Sequence, residues 1–148
     1  MARKTVVITI DAEGRDKGKR YRITEMSAVD GEFWAVRALM ALARAGVDIP
    51  EDAHALGAAG IASLGLRMLS YASPLDAKAL MDDLMRCVRI LPNPSDDSVE
   101  REPKFDGDIE ELMTLLRLKK EVFILMFGFF LDYARQWRTS AAETSALN

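Results

Sequence analysis

The run Val122–Leu131, VFILMFGFFL, holds no charged residue and four of the chain's six phenylalanines. Lys119, Lys120 and Glu121 precede it and Asp132 follows, so the apolar stretch begins and ends abruptly. As a helix it rises about 15 Å, half of the roughly 30 Å that a hydrocarbon core requires. Extending it upstream takes in three charges at once, so a membrane span is not expected. A covered helix is the remaining reading, because a segment apolar on every side must be buried on every side.

The surrounding pattern predicts a long helix over 108–137, with Asp108 and Glu111 as its capping pair and Ile109 in its first turn. At about 1.5 Å per residue it is a rod of roughly 43 Å, longer than the diameter of a compact domain of this size. On its wheel Ile109, Met113, Leu116, Phe123, Phe127, Phe130, Ala134 and Trp137 form one stripe, expected to face the core. Leu115, Leu118, Val122, Leu125, Phe129 and Tyr133 form a second. From this side Leu118, Val122, Leu125, Phe129 and Tyr133, together with Met126, are the candidate partner-binding residues, for an apolar client or for self-association through the last helix. The tail 138–148 is small and polar and is expected to be disordered.

Upstream, Lys4–Ala12 alternates around Val6, Ile8 and Ile10, and Lys19–Thr24 resumes the alternation with Tyr21 and Ile23. The turn cluster Glu13–Gly18 joins them, which predicts a β-hairpin over 4–24. Ser27 with Asp30 opens a helix in which Phe33, Val36, Leu39, Met40 and Ala43 recur at helical spacing, joined by Trp34, Ala38 and Leu42. Ala45-Gly46 ends it, and Val47–Pro50 reads as an extended linker. Residues 54–71 are rich in Ala, Gly and Leu. Gly57, Gly60 and Gly65 each weaken a helix there by about 1 kcal/mol, so two short helices or one irregular one are expected.

Ser73-Pro74-Leu75-Asp76 opens a better-defined helix that runs to Met85. Cys87–Leu91 reads as a third strand and Ser98–Glu102 as a weak fourth. The expected fold is α+β: a predominantly helical single domain over 1–137 with a small antiparallel sheet. Its parts are the N-terminal hairpin (4–24), a helical core (27–86), a strand-and-loop region (87–107) and the long C-terminal helix (108–137).

At 148 residues with 49% apolar and 29% charged residues, the chain suits one soluble domain. Its net charge of −3 opposes nucleic-acid binding, which calls for a concentrated basic face. The charge is uneven, with 1–26 rich in Lys and Arg and 82–111 rich in Asp and Glu; solvated surface is the expected reading. Cys87 is the one cysteine, which suits a reducing cytoplasm. The N-terminus reads as a strand rather than a signal peptide.

The chemistry candidates are weak. His54 with Asp48, Glu51 and Asp52 meets no metal-ligand spacing, and Asp106-Gly107-Asp108 lacks the rest of a calcium loop. The glycines at 57, 60 and 65 do not form a phosphate cradle. Cys87 or a serine with His54 as base would have to supply nucleophilic catalysis, and a buried structural thiol is the commoner role. No catalytic, cofactor-binding or metal residue is nominated, and an enzyme is not expected.

Two segments carry a family likeness. Arg22-Ile23-Thr24-Glu25-Met26, then Trp34–Leu42 and Ala45-Gly46-Val47-Asp48-Ile49-Pro50, resemble the tail assembly chaperones of tailed bacteriophages and prophages. Val88–Pro94, Asp108–Glu111 and Leu116–Val122 follow in the order that family shows, so the likeness covers roughly residues 8–128. The resemblance implies a non-enzymatic role: binding the long, largely helical tape-measure protein and keeping it soluble while tail tube subunits polymerise around it. It also implies absence from the finished particle, and the tube subunit is a second candidate partner. Trp34, Arg37, Leu39 and Pro50 match the family pattern; Leu39 and Pro50 read as architecture, and Trp34 as core or contact. The alternative is a structural tail or connector component retained in the virion.

Overall fold

Five β-branched residues, Thr5-Val6-Val7-Ile8-Thr9, make the first strand, β1 (Thr5–Thr9), as their stiff side chains favour the pleated backbone. It pairs antiparallel with β2 (Arg20–Thr24), Val6 opposite Ile23 and Ile8 opposite Tyr21, so the expected hairpin is present. The connection closes through Gly18, whose φ of +83° lies in the left-handed region and whose N–H donates to the Ile10 carbonyl at 2.8 Å. In the computed structural model the backbone is described for residues 2–44, 46 and 72–146, and side chains for the same residues other than 42 and 129–144. His54, the glycines at 57, 60 and 65, Pro50 and the helical reading of 54–71 lie outside the described residues.

Ser27 accepts the Asp30 backbone N–H at 3.1 Å, and its hydroxyl donates to the Asp30 carboxylate at 2.6 Å. This cap starts α1 (Ala28–Arg44), and Gly46, at φ +70°, follows its end as the sequence predicts. Ser73 caps α2 (Pro74–Met85) in the same way, accepting from the Asp76 N–H at 3.2 Å. The third strand, β3 (Val88–Ile90), joins the other side of β2 to give an antiparallel sheet in the order β1-β2-β3. The expected fourth strand shrinks to one bridge between Ile90 and Arg101. Pro92, Pro94 and Pro103 flank it and have no N–H to extend the ladder.

The last helix, α3 (Leu112–Ala146), starts later and ends later than the sequence reading places it. Its length is about 52 Å at 1.5 Å per residue. The expectation of a disordered tail is corrected: Ala141, Ala142 and Glu143 are good helix formers, and no glycine or proline lies between Arg138 and Ala146. Its start is also corrected. Asp108 and Glu111 do not form a capping pair: the Asp108 carboxylate accepts from the Lys104 N–H at 2.6 Å and from Arg101, and Glu111 holds Arg15 at 2.9 Å. The N–H groups of Glu110 and Glu111 go instead to Asp16, at 3.0 and 2.8 Å, in the hairpin loop.

The core lies where the sheet, α2 and α3 meet. Tyr21, Ile23 and Val88 from the sheet pack in one cluster with Leu80 and Leu84 from α2 and Leu118 and Val122 from α3. Trp34 brings α1 onto this cluster. Its indole N–H donates to the Leu80 carbonyl at 3.0 Å, and its ring meets Phe123 and Phe127 with centroids 6.1 and 5.7 Å away. Trp34 is therefore a core residue.

The uneven charge has an intramolecular explanation that composition did not supply. Arg20 pairs with Asp97 at 2.7 Å, Arg22 with Glu100, Lys19 with Glu110 at 3.4 Å and Arg15 with Glu111. The basic hairpin and the acidic 97–111 region form a clasp across the sheet, rather than two separate solvated surfaces.

Candidate functional site

The α3 stripe chosen from sequence as the partner surface is interior. Leu118 and Val122 are fully buried, Met126 is buried, and Leu125 is half-buried against the same cluster. Only Phe129 and Tyr133 of that set fall among the side chains not described. The reason is packing that no local pattern encodes: α2 and β2 both lie against this side of α3. The opposite stripe divides. Ile109 is buried and Phe123 and Phe127 pack on Trp34, whereas Met113 and Leu116 face solvent. The expectation that the Ile109–Trp137 stripe alone faces the core is corrected accordingly.

Among the described residues, a continuous exposed apolar surface lies on α1. Val29, Phe33, Val36 and Met40 recur at spacings of four, three and four residues, which places them on one stripe, and all are exposed; Phe33 is 63% exposed. Leu39 is exposed beside them, so its reading as architecture is corrected. Trp34, Ala38 and Ala41 occupy the opposite side of the same helix and are buried. Thus α1 is apolar on two faces, one covered and one open. An isolated apolar side chain on a surface is ordinary, whereas a continuous stripe is a candidate binding surface.

Beside this stripe lies a cleft of about 550 Å³ between α1 and the end of the sheet, with Phe33, Trp34 and Cys87 along its walls. Its cationic groups are mostly held: Arg37 pairs with Asp83 at 2.6 Å and sits 5.5 Å over the Phe33 ring, while Arg86 also reaches Asp83 at 2.9 Å. Burial pushes the Cys87 thiol up to about 11, so it is protonated at neutral pH. A protonated, buried thiol is a poor nucleophile. No group of three His, Cys, Asp or Glu side chains placed to hold a metal occurs among the described residues. No helix among the described residues is long and apolar enough to cross a membrane.

One polar site stands out from the clasp. Asp16 is 1% exposed, yet every oxygen is engaged: Lys19 donates at 2.7 Å and the N–H groups of Glu110 and Glu111 complete the shell. Burial drives this carboxyl up. The hydrogen bonds from Lys19, from both backbone N–H groups and from the Thr114 hydroxyl outweigh it and hold the carboxyl at about 2. Tyr21, fully buried beside it, donates to the Asp108 carbonyl; burial, with Asp16, Asp108 and Glu110 nearby, raises its phenol. These groups organise the entry of α3. Their role is structural.

The fold and this surface define a small α+β protein that clasps its sheet with ion pairs and leaves one helix face apolar and open. Over residues 17–137 the sequence matches the family described as phage tail assembly chaperone protein, TAC, and the chain belongs to that family. The resemblance read from Arg22–Met26, Trp34–Leu42 and the later segments thus corresponds to membership. No curated protein and no solved structure matches the chain.

Proposed function

We propose that this member of the tail assembly chaperone family binds the tape-measure protein and keeps that apolar, helical chain soluble while the tail tube assembles. The role is non-enzymatic and is exercised in the cytoplasm of the bacterial host, with the chaperone absent from the mature virion. The observation that carries the reading is the open Val29–Phe33–Val36–Met40 stripe, with Leu39 beside it. A helical client is recognised through apolar anchors spaced three and four residues apart, and an apolar stripe on a helix presents the matching pattern. Met40 and the exposed Met113 add side chains that adapt to varied client surfaces. The partner surface is therefore placed on α1 rather than on the buried Leu118–Met126 side of α3. The tail tube subunit is the second candidate partner.

Co-expression with the tape-measure protein tests this. The wild-type chain is expected to raise the soluble fraction of the client severalfold, and a Phe33→Asp, Met40→Asp double variant to lose that effect while keeping its own fold by circular dichroism. Equal rescue by the double variant would move the client surface off α1. No rescue by the wild type would reject the chaperone role, and stoichiometric copies in purified virions would favour a retained structural component.

A further inference from the structure

The outer edge of β1 offers a second interaction surface, of a different kind from the α1 stripe. The strand is at the end of the sheet, and among the described residues β2 is the only strand paired with it. Glu25 donates to the Lys4 carbonyl at 3.0 Å, and Ile10 donates to the Lys19 carbonyl at 3.0 Å. Peptide groups of an antiparallel strand alternate in direction, so residues 4, 6, 8 and 10 face β2 and those of Thr5, Val7 and Thr9 point away from the sheet. This edge has none of the usual guards, since Thr5–Thr9 contains no proline and no charge, and the register with β2 is unbroken by a bulge. Val6 and Ile8, on the core side, are only half-buried.

We propose that β1 pairs antiparallel with β1 of a second copy, about a two-fold axis at Val7, to make one continuous sheet of six strands from the two three-stranded halves. In this register Val7 lies opposite Val7 of the second copy and Thr5 opposite Thr9, and these pairs exchange the outward N–H and carbonyl groups. Val6 falls beside Ile8 on the core side, so each copy completes the burial that the other lacks. Charge selects the register. Arg3 falls opposite Asp11 of the second copy, twice by symmetry. Arg3 has no ion pair among the described residues, and the Asp11 carboxylate, though it holds Arg117 at 2.7 Å, is 84% exposed. A slip of one residue would oppose core-side to outer-side positions, and a slip of two separates Arg3 from Asp11. A second copy is therefore a better fit than an unrelated strand. This contact uses the sheet edge and not the last helix, where the sequence alone places self-association.

The test uses the full chain. Sedimentation velocity over a concentration series is expected to show a reversible monomer–dimer equilibrium. Val7→Pro removes only an N–H that points away from β2, so the monomer keeps its fold, as circular dichroism will show. It is expected to weaken the dimer by at least about tenfold. Arg3→Asp and Asp11→Arg are each expected to weaken it, and the double exchange to restore it. Val7→Cys should form a disulfide with itself under oxidation, as paired Cα atoms there lie about 5.5 Å apart. Thr5→Cys should not, yet should cross-link when mixed with Thr9→Cys. A chain monomeric throughout the series, a dimer indifferent to Val7→Pro, or self-linking by Thr5→Cys equal to that by Val7→Cys overturns the proposal. None of these readouts involves the client, so this proposal and the tape-measure proposal fail independently.

Discussion

Two helices of this chain carry apolar stripes at helical spacing, one covered and one open. On α3 the series Leu118, Val122, Met126 is sealed between α2 and β2, while on α1 the series Val29, Phe33, Val36, Met40 stands in solvent. Periodicity shows that a helix has an apolar side. Which side is covered depends on the neighbours that tertiary contacts bring, and α1 has its core side supplied by Trp34, Ala38 and Ala41 instead. A stripe made interior stabilises the fold, whereas a stripe left open is available to another chain.

The largest expected effect tests the covered half of this contrast. Leu118→Ala removes a fully buried side chain and is expected to cost about 3 kcal/mol, read as a lower midpoint in urea unfolding. An effect below about 1 kcal/mol would mean that the α3 stripe is not interior in solution.

A smaller effect tests how α3 is held in place. Asp16→Asn is expected to lose about 2 kcal/mol at pH 7, because the native carboxyl sits at about 2 against an ordinary 3.8. The sign follows from that depression: the carboxylate's contribution is complete above pH 3.8 and is lost as pH falls toward 2. The gap between wild type and variant should therefore narrow in acid. A constant gap from pH 7 to pH 2 would assign the effect to shape rather than charge.

The smallest expected effect is on the open stripe. Phe33→Ser should change unfolding stability by no more than about 0.5 kcal/mol, since its ring is mostly in water. A cost comparable to that of Leu118→Ala would show that the α1 face is covered after all.

Local chemistry was legible. The alternation of Val6, Ile8, Tyr21 and Ile23 identified the hairpin, Ser27 and Ser73 identified two helix starts, and Gly46 identified a helix end. Family membership was legible too, from short segments spread along the chain. What escaped was everything set by contacts distant in sequence. Asp16 reads locally as a turn residue, and nothing near it signals that its carboxylate will receive the N–H groups of Glu110 and Glu111. Asp108, with Glu111 three residues on, matched the capping pattern, but Arg101 and Arg15 engage those carboxylates. The candidate partner stripe on α3 failed for the same reason, because β2 and α2 compete for the surface that its pattern left unassigned.

The Asp16 contact also bears on the order in which the molecule can assemble. The pairing of Asp16 with Glu110 spans a sequence separation of 94 residues. Closing so long a loop costs entropy that a nearby cap would avoid, and contacts of this range slow folding. During synthesis the hairpin leaves the ribosome before the last helix. The hairpin loop is thus already present as a receiving site when Glu110 and Glu111 emerge, and α3 is set in place by a part of the chain made well before it.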